Sequence, residues 1–349
     1  MHNYSVRYKH INKALIKKIF ISIICIAVIL VTAFLYLLDK NLTRSLSINE
    51  PQIITIKKGT SVVALARTLV DRGWLNNRFW LRAYARLKPQ NAIIKTGTYQ
   101  ILPDSSLLTL LKLFTSGIEH QFKFTIIEGT TFKELLLQLK EQSNLTHHLS
   151  TMNIEQISKE LGINQINPEG WFFPETYAFT KGTKDIELLK RAHDSMKKIL
   201  NDLWENRSQN LPFETPYQAL IMASIIEKET SHIPEQPLIS SVFINRLAKK
   251  MRLQTDPTVI YGLGDRYKGD ITRAHLREKT AYNTYKINGL PPTPIAMPGL
   301  TALQAALNPE SSTFFYFVSQ GNGKHVFSET LAQHNKAVKD YLAKQRLKK

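Results

Sequence analysis

Pro216-Tyr-Gln-Ala-Leu-Ile-Met-Ala-Ser-Ile-Ile-Glu-Lys-Glu-Thr230 is a helical stretch that is apolar all round from Ala219 to Ile226, apart from Ser224. A helix with no polar face is buried on every side, so this segment is a core element. A carboxylate follows directly. Leu220, Ala223, Ser224 and Glu227 fall at i, i+3, i+4 and i+7, so Glu227 prolongs one face of the rod, where loss of water should raise its pKa. A carboxylic acid kept protonated near neutral pH is what a departing glycosidic oxygen requires. A buried structural ion pair would leave the same pattern. Glu229 lies two positions on, about 200° around the helix, and should not share the cleft of Glu227. Its expected partners are Lys228 or Arg246, or solvent.

Downstream, Arg252-Leu-Gln-Thr-Asp-Pro-Thr258 leads into Val259, Ile260 and Tyr261. Asp256 before Pro257 reads as a helix N-cap with proline at the first helical position, whereas Gln254 has no such local explanation. Tyr282-Asn283-Thr284-Tyr285 places two phenol rings around an amide. Gly289-Leu-Pro-Pro-Thr-Pro-Ile-Ala-Met-Pro-Gly299 follows, with Gly or Pro at six of eleven positions, and reads as a stiff surface loop. Stiff loops carrying aromatic and amide groups suit sugars; an Ω-loop held by its own tyrosines is the structural alternative. Phe314 to Ser319 and Lys324 to Ser328 flank Gly321-Asn322-Gly323, a hairpin that puts His325 and Phe327 on one strand face. There is no Walker loop, G-x-G-x-x-G or H-E-x-x-H, so neither cofactor nor metal is expected.

Toward the N-terminus, Ile19 to Leu38 reads IFISIICIAVILVTAFLYLL, 20 residues without a charge. As a helix it would span about 30 Å, the hydrocarbon thickness of a bilayer. It exceeds a signal-peptide core and lacks a small-x-small cleavage site, so it should remain as an anchor. Arg7, Lys9, Lys13, Lys17 and Lys18 precede it, against Lys40 and Arg44 after it, so the positive-inside bias leaves the N-terminus in the cytoplasm. The expected organisation is a cytoplasmic tail (1–18), a transmembrane anchor (19–38), a small α+β subdomain (39–120) and a larger mixed α+β domain (121–349). The small subdomain should run strand (Ile53 to Ile56), helix (from Val62, capped by Thr60 or Ser61 and stopped by Gly73), helix (Asn77 to Leu87), strand (Thr96 to Leu102). Ile126-Ile-Glu-Gly-Thr130 echoes Ile56-Lys-Lys-Gly-Thr60 and again leads into a helix, Phe132 to Gln142; repeat and coincidence are both open.

The 349 residues, 43% hydrophobic and 21% charged, exclude a miniprotein or wholesale disorder. One cysteine, Cys25, excludes an intramolecular disulfide and any zinc site built on two or more thiolates. The net charge of +18 favours an acidic partner. With most of that charge outside the cytoplasm, nucleic acid is not expected and acidic cell-wall polymer is.

Together, Glu169-Gly-Trp-Phe-Phe-Pro-Glu-Thr-Tyr177, Ala223-Ser-Ile-Ile-Glu-Lys-Glu-Thr230, Val242-Phe-Ile-Asn-Arg-Leu247, Arg252 to Val259, Tyr282-Asn-Thr-Tyr285, Gly289-Leu-Pro-Pro292 and His334-Asn335 resemble the YceG-like family of membrane-bound endolytic murein transglycosylases. The motifs come in the family's order from about Ile53 onward; Thr293 and Met297 depart from it, standing where Gly and Asn are common. The resemblance implies a LysM-like N-terminal subdomain and a mixed α+β catalytic domain. It also implies cleavage of MurNAc-GlcNAc bonds within peptidoglycan strands to leave 1,6-anhydro-MurNAc ends, which would terminate strand elongation, and an association with peptidoglycan synthases. It places the catalytic glutamate at Glu227.

That chemistry needs a single acid. Glu227 would protonate the leaving oxygen and, as carboxylate, accept the proton of the MurNAc C6 hydroxyl as that oxygen closes onto C1. Gln254, Asp256, Tyr261, Tyr282, Asn283, Tyr285 and His325 are the expected substrate-binding residues. Two alternatives remain: a hydrolase using Asp256 or Glu175 as second carboxylate, and a wall-binding scaffold without turnover.

Overall fold

The computed structural model describes residues 13–321 and 323–347. The chain is mixed helix and strand, and divides into two compact units, Met1–Gln121 and Phe122–Lys349.

In the first unit, helix α1 (Lys13–Thr43) contains the whole uncharged run and extends beyond both of its ends. It is long and apolar enough to cross a membrane, with a mean hydropathy of 2.9 over its most apolar window. The proposed tail, 1–18, falls mostly outside the described residues, and its last six residues are the start of this helix. At the other end Leu38 and Leu42 are buried, so the last turns of α1 contribute to the unit's core. Strand β1 (Gln52–Ile56), helices α2 (Val62–Asp71) and α3 (Phe79–Leu87), and strand β2 (Gly97–Ile101) then form a β-α-α-β unit whose two strands pair antiparallel. Ser61 is the N-cap of α2, its hydroxyl accepting from the Ala64 N–H, and Gly73 ends that helix in the left-handed region at φ +73°. Helix α4 (Leu107–Ser116) closes the unit; its four buried residues, Leu107, Leu110, Leu111 and Phe114, lie at helical spacing.

The second unit begins with the same arrangement: β3 (Phe122–Thr125), α5 (Phe132–Lys140), α6 (Ile154–Glu160) and β4 (Thr176–Phe179), with β3 and β4 antiparallel. The sequence echo therefore marks equivalent positions. Gly59 and Gly129 both turn at positive φ (+81° and +74°), and Ser61 and Thr131 both cap the next helix. Facing threonines bond across both ladders, Thr55 to Thr98 at 3.1 Å and Thr125 to Thr176 at 2.8 Å. The next residue of each second strand is a buried tyrosine, Tyr99 or Tyr177, whose hydroxyl donates to the carbonyl four residues back.

Helix α7 (Asp185–Glu205) leads to α8 (Pro216–Glu229), the apolar rod. Thr215 caps it, Pro216 occupies its first turn, and every residue from Ala219 to Ile226 is buried. Each of its larger aliphatic side chains is worth about 1.5–3 kcal/mol of burial, so this helix organises the unit. Its one internal polar group is satisfied twice: Ser224 Oγ donates to the Ile221 carbonyl at 2.7 Å and accepts the Ile295 N–H at 3.0 Å. Around it lie α9 (Gln236–Ala248), α10 (Asp256–Leu263), α11 (Arg273–Arg277) and α12 (Leu300–Leu307). The antiparallel hairpin β5 (Tyr316–Ser319) and β6 (His325–Ser328) and the terminal helix α13 (Leu331–Leu347) complete the unit. Asn322 of the expected hairpin turn lies outside the described residues.

One expectation needs correction. The Gly/Pro-rich stretch is only in part a surface loop, because residues 294–299 are all buried. Its backbone pairs with the β3–α5 turn, Gly129 N–H to Met297 O at 2.9 Å and Met297 N–H to Thr130 O at 2.8 Å, so it is a strap held between that turn and α8.

Candidate active site

The two glutamates at the end of α8 point to different surroundings, and these differ from the expected ones. Glu227 Oε2 accepts the N–H of Gly299 at 3.0 Å, at the start of α12, where the helix dipole favours a negative charge. Burial, and then the nearby Glu128 carboxylate, push its pKa up, opposed by the Gly299 N–H and by Lys228. Lys228 itself donates to the Gly129 carbonyl at 3.1 Å. Among the described residues, none of the expected sugar-binding side chains is a hydrogen-bond or leading electrostatic partner of Glu227.

Glu229 faces the segment that carries them. Its Oε2 accepts a 2.7 Å hydrogen bond from Thr255 Oγ1, between Gln254 and Asp256. Burial is the main cause of its raised pKa. The Asp256 carboxylate raises it further, while the Thr255 hydrogen bond, His325 and Arg246 oppose the rise. Of the surroundings expected for Glu229, solvent is therefore wrong, while its separation from Glu227 and the proximity of Arg246 are as expected. The 200° separation was sound, but it put Glu229 on the side of α10 and β6. Arg246, an expected partner, is buried within electrostatic reach of it, its guanidinium fixed by the carbonyls of Phe315 and Leu253, both at 2.6 Å.

The remaining residues fall into three groups. Gln254, Asp256, Tyr285 and His325 gather on the Glu229 side. Gln254 is exposed, has a left-handed backbone at φ +50°, and has no side-chain hydrogen bond among the described residues. A non-glycine residue held there is strained, and such strain concentrates at functional positions. Asp256 is the first residue of α10 and not its cap, which is Thr255; its exposed carboxylate accepts the Tyr285 hydroxyl at 2.7 Å. His325 is held by Glu235, Nδ1 to Oε2 at 2.8 Å and backbone N–H to Oε1 at 3.1 Å.

Tyr261 and Tyr282 form a second group, their ring centroids 4.9 Å apart. The Tyr261 hydroxyl donates to Glu169 at 3.0 Å and accepts from Asn167 at 3.2 Å, and the Tyr282 hydroxyl bonds Thr293 at 2.8 Å. Glu169 is a buried carboxylate at which both oxygens also accept the Phe132 N–H; burial pushes its pKa to about 7 despite these bonds. Asn283 stands apart and is a correction: at 1% exposure it cannot reach a ligand. Its amide donates to the carbonyls of His275, Leu276 and Glu278 and accepts the Tyr285 N–H, so it shapes the turn that presents Tyr285.

A carboxyl group of raised pKa, oriented by a hydroxyl and flanked by an open strained amide, a phenol, a carboxylate and two basic groups, can deliver a proton to a polyhydroxylated ligand. The model of the YceG-like family matches residues 54–340. The chain belongs to the YceG-like family. This YceG-like chain is 30% identical over 315 residues to an endolytic murein transglycosylase of Bacillus subtilis (strain 168), covering 83% of the chain and 84% of the relative. It is 25% identical over 342 residues to an endolytic murein transglycosylase of Streptococcus pneumoniae (serotype 2, strain D39), covering 88% of the chain and 61% of that relative's length. Among solved structures it is similar to a YceG-like protein of Listeria monocytogenes, with a TM-score of 0.52 and 30% identity over 82% of this chain and 99% of the other.

Thr255, Glu229 and Arg246 are residues of this candidate site that pattern reading undervalued. Each had a weak signal: Thr255 lies between two residues singled out for chemistry, and Arg246 was named only as an ion-pair partner.

Proposed function

We propose that this chain is a lytic transglycosylase of peptidoglycan, cutting MurNAc-GlcNAc bonds within nascent strands and leaving 1,6-anhydro-MurNAc ends. The observation that supports the reading is the grouping of Asp256, Tyr285, His325 and Arg246 within electrostatic reach of Glu229, with Gln254 next in the chain to its partner Thr255. On this support we assign the acid to Glu229 in place of Glu227. Glu229 donates its proton to the glycosidic oxygen as the bond to C1 breaks. Its carboxylate, beside Arg246 and held by Thr255, then takes the proton from the C6 hydroxyl while O6 bonds to C1, so no water is consumed. The exposed Gln254 and Asp256 and the half-buried Tyr285 position the sugar, and His325 offers its ring at the edge of the hairpin. Tyr261 and Tyr282 line the approach on the Glu169 side.

Helix α1 anchors the chain in the cytoplasmic membrane with the N-terminus inside and the chain after α1 outside. There the net charge of +18 meets the carboxylates of muramyl lactate and stem peptides. The β-α-α-β order of the first unit supports a LysM-like, glycan-holding subdomain. Cutting new strands makes the enzyme a terminator of elongation, working beside the synthases that extend them.

A second reading, hydrolysis with Asp256 as the further carboxylate, is favoured by the electrostatic proximity of Asp256 to Glu229. Mass spectrometry of products from purified strands separates the two. Anhydro ends without the mass of an added water are expected, and hydrated reducing ends would overturn the lytic assignment. A scaffold without turnover would release neither product.

A further inference from the structure

Helix α3 carries a feature that catalysis does not use. Leu81 and Tyr84 point into the core, while Phe79 and Leu87 remain exposed at 56% and 54%. Arg78, Arg82 and Arg86 recur at four-residue spacing along the same helix. All three line one cavity of about 650 Å3, together with Phe79, Ala83, Leu87 and, from α1, Phe34. No ion pair or side-chain hydrogen bond engages any of the three guanidinium groups among the described residues. The cavity thus has an uncompensated cationic side and an apolar side.

Its position identifies the occupant. Phe34 lies inside the uncharged run of α1, four residues, or about 6 Å, before its end at Leu38. Phe79 and Trp80 meet Phe34 with ring centroids 6.5 and 6.2 Å away, and are 4.9 Å from each other. If α1 spans the bilayer, this aromatic cluster lies at the membrane–water interface, where such rings concentrate, and the arginines lie at the level of the headgroups.

We propose that the α1–α3 cavity binds an anionic phospholipid of the surrounding leaflet. Its phosphate is held by Arg78, Arg82 and Arg86 and its acyl chains lie against Phe34 and Phe79, which fastens the first unit to the bilayer surface. Arginine suits the task because its planar fork binds phosphate oxygens in pairs. This rests on the anchor reading of α1, and the test separates the two.

The full chain is placed in nanodiscs of phosphatidylcholine with increasing phosphatidylglycerol. Cys25, the sole cysteine, is probed with a membrane-impermeant maleimide. A bimane probe at L87C in a C25S background is quenched with brominated lipid of either class. The expected result is a protected Cys25 and a preference for brominated phosphatidylglycerol that falls about five-fold for each Arg→Gln change. The R78K/R82K/R86K variant keeps the charge but not the paired bonds, so its preference should fall between those of the parent and R78Q/R82Q/R86Q, and millimolar inorganic phosphate should not displace the lipid. A reactive Cys25 removes the anchor and the proposal together. A protected Cys25 with no lipid preference, or with equal preference in R78Q/R82Q/R86Q, overturns the lipid site alone. Displacement by free phosphate overturns it in favour of a simple anion site.

Discussion

Exchanging the two glutamates of α8 for glutamine, one at a time, tests the central assignment. In E229Q the Thr255 hydroxyl still finds an acceptor, the amide oxygen, and the side chain keeps its volume, so the fold should be unaffected. Stability near neutral pH should hold or rise slightly. Burial raises the Glu229 pKa, so the ionised form is disfavoured in the native state, and a neutral amide avoids that cost. Catalysis has no such substitute. The amide cannot protonate a leaving oxygen, and removing a general acid costs on the order of 10²–10⁴ in rate, about 3–5 kcal/mol of barrier. In E227Q the Gly299 N–H is likewise still accepted, while the reacting bond loses no donor, so the rate should stay within about tenfold of the parent. The assay is release of anhydro-ended fragments from purified strands by the full-length chain in detergent, with thermal melts of each variant alongside. An inactive E227Q combined with an active E229Q, both folded, would refute the argument and return the acid to Glu227.

Three further outcomes are expected. Q254G should melt slightly higher, because glycine relieves a left-handed backbone at φ +50° worth about 1 kcal/mol, yet lose kcat/KM through lost sugar contacts; a variant that melts lower would remove the case for strain. N283A leaves three part-buried carbonyls and one N–H without their partner and should lose roughly 1–3 kcal/mol in a denaturant melt, with activity at low temperature largely kept. Glu169 holds its proton up to about pH 7 when folded but only to its ordinary value of 4.5 when unfolded. The native state therefore binds more protons between those limits, and stability should fall as pH rises through that window, by roughly 3 kcal/mol in all, then level off. E169Q should flatten that slope in melts at pH 5 and pH 8, and an unchanged slope would assign it to other groups.

The elements were legible where short-range chemistry dictates them. Ser61 and Gly73 mark helix ends through capping and left-handed φ, and the structure uses each that way. The burial of α8 was legible because eight successive positions without a polar face allow no other solution. What could not be read was which partner each side of that helix would meet. Periodicity gives the angle between Glu227 and Glu229, but α10 and α12 reach α8 through contacts distant in sequence. Asn283 shows the same limit. An amide between two tyrosines reads as a ligand contact until the carbonyls of His275, Leu276 and Glu278 fold back onto it. The buried strap was missed because Gly and Pro report stiffness, not depth; Ile295, Ala296 and Met297 were its only clue.

The repeated β-α-α-β unit explains why a short echo in sequence mattered. In the first unit the turn at Lys57, Lys58 and Gly59 is open to solvent. In the second, the equivalent turn is put to work. Gly129 and Thr130 pair with Met297, the Gly129 carbonyl takes Lys228, and Glu128 lies so close to Gly299 that a Cβ there would overlap its carboxylate. One glycine turn therefore fixes both the strap and the end of α8, on the side of Glu227. On this view Glu227 is the brace, and the helix end it stabilises holds Glu229 against Thr255. Under the proposed function the two carboxylates would divide the work of one motif, one holding the helix in register and the other delivering the proton. Substitutions at Gly129 should then reach catalysis only through the position of Glu229, lowering kcat while leaving KM for strands unchanged. A G129A chain with normal kcat would dissolve the link.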